Sequence, residues 1–85
     1  MPRFATEIRV MPRRTLLDPQ GQAVGHALDA LGFNSVRDVR VGRALTLELE
    51  RPDQAAAERD ARAMCQRLLA NPVTEDFTIS IRPVS

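Results

Sequence analysis

Polar and apolar residues alternate at the start of the chain, and this alternation predicts a strand with one buried face. The strand covers about residues 4–11. The residues expected on its inner face are Phe4, Thr6, Ile8 and Val10. Pro12 interrupts the strand, and a basic loop that contains Arg13 and Arg14 follows it.

The next stretch spaces its apolar residues as a helix does. Asp18 is predicted to precede the first turn, because its carboxylate can accept hydrogen bonds from the free N–H groups there, and Pro19 suits the first helical position. Gly32 is placed to end the helix. We therefore predict a helix over about residues 19–31 whose core-facing stripe is Ala23, Val24, Ala27, Leu28 and Leu31.

A second extended stretch covers residues 36–49. The apolar residues on its odd-numbered face are Val39, Val41, Leu45, Leu47 and Leu49. Arg43 would fall on that same face directly after Gly42, and a charge there is unfavourable unless the chain bends, bulges or turns. Gly42-Arg43 is thus either the two-residue loop of a hairpin or a kink in one long bent strand. The sequence leaves both open.

A second helix is predicted after Pro52-Asp53. It ends near Ala70, where Asn71-Pro72 stops it. Its predicted apolar stripe is Ala57, Ala61, Met64, Cys65 and Leu68. The last strand covers about residues 76–82, and its inner face carries Phe77, Ile79 and Ile81.

These elements predict an α+β fold related to the ferredoxin-like fold, with two helices on one face of a mostly antiparallel sheet. Residues 1–85 form a single domain, because the length leaves no room for a second core. A chain of this size buries only about 60–65% of its unfolded surface, so a monomer is marginally stable. The chain is therefore expected to gain stability from partners.

The charges are almost balanced. Twelve basic and eleven acidic residues give a net charge of +1, and they are interspersed along the chain. This pattern favours neither nucleic acid nor a membrane as a partner. No stretch is apolar enough for a signal peptide or a transmembrane helix, so a cytoplasmic location is expected.

The sequence offers few residues for catalysis. His26 is the only histidine, and helical spacing places it away from the apolar stripe of the first helix. Cys65 is the only cysteine and is expected in the core rather than as a nucleophile. No glycine-rich phosphate loop is present. Phe4 and Phe77 are needed by the core, which argues against base stacking on the sheet. We predict no catalytic, metal-binding or cofactor-binding residue.

Several segments resemble the PurS family, the small subunit of phosphoribosylformylglycinamidine synthase, and together they span nearly the whole chain. The segments of the first half are Met11-Pro12-Arg13, Leu17-Asp18-Pro19-Gln20-Gly21, Ala27-Leu28, Leu31-Gly32-Phe33 and Val39-Arg40-Val41-Gly42-Arg43. Those of the second half are Met64-Cys65, Leu68-Leu69-Ala70-Asn71-Pro72-Val73 and Glu75-Asp76-Phe77. The family usually has lysine at Arg13 and Arg43, so the charge persists here but the donor geometry changes.

The resemblance implies a PurS-like domain that bridges two larger subunits. A glutaminase subunit would release ammonia from glutamine, and a synthetase subunit would use ATP and Mg to activate formylglycinamide ribonucleotide for amidine formation. The chain itself would bind no cofactor and would form a homodimer or a dimer of dimers. The residues expected to form its subunit-docking surface are Arg13, Arg14, Arg40, Gly42, Arg43, Asn71 and Pro72.

Two other functions are compatible with a fold of this type. One is an amino-acid-binding regulatory domain, which would bind its ligand without either large partner. The other is a small hydrolase of the acylphosphatase type. The hydrolase needs an arginine-bearing anion loop, and neither Arg13-Arg14 nor Gly42-Arg43 has the flanking glycines for one.

Overall fold

Two helices and three strands follow the predicted order in the computed structural model, which describes residues 2–84. Strand β1 (Arg3–Pro12) leads to helix α1 (Pro19–Ala30), and strand β2 (Arg43–Glu50) leads to helix α2 (Gln54–Met64). Helix α2 continues into a π-helical turn (Cys65–Leu69), and strand β3 (Glu75–Val84) follows it.

The sheet has the order β2-β1-β3, and both pairs are antiparallel. Ile8 of the central strand pairs with Leu45 on one side and Ile79 on the other. The predicted inner face of β1 is confirmed, since Phe4, Thr6, Ile8 and Val10 are all buried. The α+β class with an antiparallel sheet is therefore confirmed.

Helix α2 covers the inner face of the sheet over β1 and β3. Asp53 begins it by accepting a hydrogen bond from the N–H of Ala56 at 2.8 Å. Three small residues of α2, Ala56, Ala57 and Ala61, are buried, and small side chains allow a helix to approach the strands closely. Cys65 completes this contact and is fully buried, as predicted.

The prediction that Leu68 belongs to the buried stripe was wrong, because its side chain is 81% exposed. Leu69 packs on the core instead. The cause is the π-helical turn, which closes its ring with one residue more than an α-helix and so rotates the following side chains. The N–H of Ala70 reaches back to the carbonyl of Cys65 at 3.0 Å, which is the π-type hydrogen bond.

Helix α1 is not placed over the sheet, although the sequence predicted both helices there. Its only buried residue is Gly21, and it contacts the segment before β2 rather than the strands. The helix ends as predicted at Gly32, whose φ of 96° suits glycine, and the N–H of Phe33 bonds to the carbonyl of Leu28. Most of the predicted apolar stripe faces solvent, with Leu31 73% exposed.

The stretch over residues 36–49 is neither a hairpin nor one long strand. Residues 36–42 form no regular structure, and a single strand begins at Arg43. The chain is elongated as a result, with extents of 51 × 29 × 14 Å and a radius of gyration of 16.5 Å. A compact domain of this length has a radius of gyration of about 12 Å.

Replacement of Thr6 by valine tests the core. The Thr6 side chain is 2% exposed, and its hydroxyl has no hydrogen-bond partner among the described residues. An unpaired buried hydroxyl is unfavourable by about 1–3 kcal/mol. We expect Thr6→Val to raise the free energy of unfolding by about 1 kcal/mol, as measured by urea unfolding at fixed protein concentration.

Thr6→Ser is the matched control, since it keeps the hydroxyl and loses the buried methyl group. It should be less stable than the wild type. A Thr6→Val variant that is less stable than the wild type would mean that the hydroxyl has a partner in solution.

Candidate docking site

The residues predicted to form a docking surface meet at one end of the sheet. The last residues of β1 lie beside the first residues of β2 and β3, since Val10 pairs with Arg43 and Pro12 pairs with Glu75. We call this region the arginine end, and it consists of Arg13, Arg14, Arg40, Gly42, Arg43, Asn71 and Pro72. The fold thus places all of the predicted residues in one region.

Arg43 lies on the apolar side of β2, and an ion pair accounts for its position there. Its two terminal nitrogens donate to the two carboxylate oxygens of Glu75 at 2.8 and 3.0 Å, and one of them also donates to the carbonyl of Leu69. The Glu75 side chain is 17% exposed and also accepts the N–H of Asn71 at 2.7 Å. Arg43 therefore joins the start of β2 to the start of β3 and to the π turn.

Arg40 holds the loop that follows β1. Its guanidinium donates to the carbonyls of Pro12 at 3.0 Å, Arg13 at 2.6 Å and Arg14 at 3.5 Å. It also lies 4.0 Å from the carboxylate of Asp18. A planar guanidinium has enough donors to satisfy several carbonyls at once. Arg40 therefore fixes the path of the chain between β1 and α1.

Asp18 has two structural roles. One carboxylate oxygen accepts the N–H of Gly21 at 3.0 Å, which confirms the predicted helix cap. The other oxygen accepts the N–H of Val41 at 2.9 Å, which fastens the start of α1 to the segment before β2. The N–H groups of Val41 and Gly21 hold the pKa of Asp18 below its ordinary value.

Position 42 needs glycine because a larger side chain would not fit there, and not because of an unusual backbone conformation. A hairpin loop that begins at Gly42 would require a positive φ there, but the only positive φ in residues 2–84 is that of Gly32. A Cβ on Gly42 would instead collide with the carbonyl oxygen of Val10 and with the sulfur of Met11. Gly42 thus lets the segment pass close over the end of β1.

Arg13, Asn71 and Pro72 form the other side of the arginine end. Arg13 donates from its side chain to the carbonyl of Pro72 at 2.7 Å and from its backbone to the carbonyl of Thr74 at 2.9 Å. The Asn71 side chain accepts the N–H of Val73 at 2.9 Å. These bonds fix the loop between the π turn and β3.

Arg14 is the one basic residue of the arginine end whose side chain makes no hydrogen bond or ion pair within residues 2–84. Two apolar side chains are also exposed beside Asn71 and Pro72, namely Leu68 at 81% and Val73 at 75%. The exposure of Leu68 could not be predicted from the sequence, because α-helical spacing places it in the core. Glu75 was missed as the partner of Arg43, since only the folded sheet brings them together.

Within residues 2–84, no group of three or more His, Cys, Asp or Glu side chains is placed to hold a metal ion. Burial raises the pKa of the Cys65 thiol, which makes it a poor nucleophile. His26 is exposed on α1 beside residues 36–39. No helix in the described part of the chain has both the length and the apolar character needed to cross a membrane.

The structure defines a small α+β protein whose distinctive surface consists of arginines, backbone carbonyls and exposed apolar side chains. Comparison with known families identifies it further. Residues 5–83 match the family PurS, described as phosphoribosylformylglycinamidine (FGAM) synthase. The chain belongs to this family.

Relatives and solved structures agree with the family match. The chain is 43% identical over 78 residues to a phosphoribosylformylglycinamidine synthase subunit PurS of Synechocystis, covering 92% of this chain and 78% of the relative. The structure of PurS from Thermus thermophilus is similar with a TM-score of 0.86 and 35% identity, and the match covers 99% of this chain and 100% of that one.

A chain in the structure of PurLQS from Thermotoga maritima is similar as well. Its TM-score is 0.86 and its identity is 30%, with 99% of this chain and 100% of that chain covered. The elongated arrangement of α1, residues 36–42 and the sheet is therefore compatible with the solved structures of this family.

The carboxylates of Asp18 and Glu75 predict how stability depends on pH. Hydrogen bonds from Arg43, and then from the N–H of Asn71, lower the pKa of Glu75, and the pKa of Asp18 is lowered too. A lowered pKa in the folded state stabilises the fold above the unfolded pKa and loses that effect as the pH falls through the folded pKa. We expect stability to fall below about pH 4.

The double variant Asp18→Asn/Glu75→Gln should be less stable than the wild type at pH 7, with a smaller further loss on acidification. Urea unfolding at pH 7 and at acid pH measures this difference. Asp29→Asn is the control, because Asp29 is exposed and its carboxylate accepts no hydrogen bond from the described residues. If the stability of the double variant and of the wild type depended equally on pH, the carboxylates of Asp18 and Glu75 would not be the cause of the loss of stability in acid.

Proposed function

We propose that this protein is the small subunit of a phosphoribosylformylglycinamidine synthase of purine biosynthesis and that it joins the synthetase subunit to the glutaminase subunit. The observation that carries the proposal is that this chain matches PurS subunits over nearly the full length of both proteins. The chain and the PurS subunit of Bacillus subtilis align over 95% of each, with 37% identity. A chain of the same fold also occurs in PurLQS of Thermotoga maritima.

In this role the chain contributes contacts and no reacting group. The synthetase subunit uses ATP and Mg, and the glutaminase subunit supplies ammonia from glutamine for the conversion of formylglycinamide ribonucleotide to the amidine. The small subunit is non-catalytic and cytoplasmic, and it acts as a homodimer or a dimer of dimers. The burial of Cys65 and the exposed position of His26 support this proposal.

The arginine end is the proposed docking surface for one of the large subunits. Arg40 and Arg43 have their main bonds within the chain, so they shape this surface from inside. Arg14 extends from it without a bond of its own in the described residues, and Leu68 adds exposed apolar area. Interfaces are enriched in arginine, and their fully buried centres are more apolar than the rest of the protein surface.

Arg14→Ala tests this surface. The variant should remain folded and keep its oligomeric state, because the side chain makes no hydrogen bond or ion pair with the described residues. Titrated into the purified synthetase and glutaminase, it should reach half-maximal glutamine-dependent activity at a subunit concentration about tenfold higher than the wild type, the loss expected for one interface contact worth roughly 1.4 kcal/mol. Activity with free ammonium should change less, since that route needs no delivery from the glutaminase.

Arg59→Ala is the matched control. Arg59 is an exposed arginine of α2 that lies away from the arginine end, and its side chain makes no hydrogen bond or ion pair with residues 2–84. It should titrate as the wild type does. Equal titration curves for Arg14→Ala and the wild type would remove Arg14 from the docking surface. If the wild-type subunit had no effect on glutamine-dependent turnover, the bridging function itself would be wrong.

A further inference from the structure

The outer face of the sheet, opposite helix α2, carries a groove centred on Ala5. The groove has a volume of about 450 Å³. Ala5 forms its floor and is half-buried, although it lies on the side of β1 that points away from the core. Its neighbours along the outer face of β1 are Arg3 and Glu7, whose side chains are much longer. The alanine therefore leaves a gap that a small ligand can enter.

The pairing of the strands places opposite charges on the two sides of this groove. Ala5 pairs with Glu48 of β2 on one side and with Arg82 of β3 on the other. Two strand spacings, roughly 10 Å, therefore separate the backbone of Glu48 from that of Arg82. Glu7 lies two residues along β1 from Ala5 and adds a second carboxylate to the groove. The groove thus offers carboxylates and a guanidinium that face each other across a small residue.

Two hydroxyl groups complete the border of the groove. Glu7 pairs with Thr46 of β2 on one side and with Ser80 of β3 on the other, and both of these side chains are exposed. A hydroxyl can donate one hydrogen bond and accept others. Thr46 and Ser80 are therefore suited to a polar group of a ligand that is held by the charges.

The charged groups of the groove still have bonding capacity. The Arg82 side chain is exposed and makes no hydrogen bond or ion pair with residues 2–84. Glu7 accepts from Arg9 at 3.2 Å, and Glu48 lies 3.6 Å from Arg3. Each of these contacts uses one carboxylate oxygen, and both glutamate side chains remain about half exposed. The other oxygen of each glutamate accepts no hydrogen bond from the described residues.

We propose that this groove binds a free amino acid in its zwitterionic form, in addition to the bridging function of the chain. Arg82 binds the carboxylate of the amino acid, since a guanidinium matches a carboxylate along two parallel bonds. Glu7 and Glu48 bind the ammonium group, and hydrogen bonds between charged groups are stronger than those between neutral ones. A polar side chain of the amino acid then reaches the hydroxyls of Thr46 and Ser80.

The arrangement of charges disfavours small ligands of a single sign. A phosphate group would meet the carboxylates of Glu7 and Glu48, and a simple cation would meet the guanidinium of Arg82. A molecule that carries both charges is attracted at both ends. Because the groove is exposed and water weakens ion pairs there, we expect weak binding, with a Kd on the order of 1 mM.

Titration of the isolated, isotope-labelled subunit with L-glutamine tests the site, because the side-chain amide of this amino acid suits the two hydroxyls. Heteronuclear NMR follows the backbone N–H signals. We expect the signals of Ala5, Thr46 and Ser80 to shift and to saturate with a Kd on the order of 1 mM. Shifts that do not saturate, or shifts confined to other parts of the chain, would overturn the proposal.

Two analogues separate the recognition of the two charges. N-acetyl-L-glutamine has no ammonium group, and the α-amide of L-glutamine has no carboxylate. Each should bind about tenfold more weakly than L-glutamine, because each loses the contacts at one end of the groove. If either analogue bound as tightly as L-glutamine, the groove would recognise a single charge and the zwitterion would be the wrong ligand.

Arg82→Gln removes the guanidinium from the groove. The variant should remain folded, since the Arg82 side chain makes no hydrogen bond or ion pair with the described residues. Its Kd for L-glutamine should rise about tenfold. Arg59→Gln is the matched control, because it makes the same change at an exposed position of α2, and it should bind as the wild type does. Equal affinity of Arg82→Gln and the wild type would overturn the site.

The outcome is separable from that of the proposed function, because the isolated subunit is titrated. A wild-type subunit that reconstitutes glutamine-dependent activity but shows no saturable shifts retains the bridging function and loses the amino-acid site. A subunit that binds L-glutamine as expected but adds nothing to activity retains the site and loses the bridging function.

Discussion

The position of helix α1 depends on the carboxylate of Asp18. One oxygen begins the helix at Gly21, and the other holds the N–H of Val41, so a single side chain fixes both the start of the helix and its distance from the sheet. Gly21 is the only buried residue of α1, so these two bonds provide much of the attachment of the helix to the described part of the chain. The course of residues 36–42 and the uncovered apolar stripe both follow from this attachment.

Arginine side chains hold the loops and strand ends together at the arginine end of the molecule. Arg40 satisfies three successive carbonyls of the loop after β1, and Arg43 meets both oxygens of Glu75. A lysine ammonium is a compact donor and cannot match a carboxylate along two parallel bonds. Arg40 and Arg43 therefore stiffen the proposed docking surface from within, whereas the Arg14 side chain makes no hydrogen bond or ion pair within residues 2–84.

The alternation and spacing of residues predicted those parts of the fold that depend on interactions between residues close together in the sequence. The inner face of β1, the cap at Asp18 and the glycine end at Gly32 are decided by residues within a few positions of each other. The position of α1 and the ion pair of Arg43 with Glu75 depend on residues far apart in sequence, so periodicity could not predict them. The docking residues were grouped by resemblance, and the fold places them together.

The π turn after α2 also has a meaning for comparison between chains. A π turn is equivalent to one residue inserted into an α-helix, which is why Leu69 and not Leu68 faces the core. A relative that lacks this extra residue would continue as an ordinary helix and bury the residue that aligns with Leu68. In an alignment, a gap of one residue within positions 65–69 would therefore mark the relatives that bury the residue aligned with Leu68. Relatives without the gap would expose it.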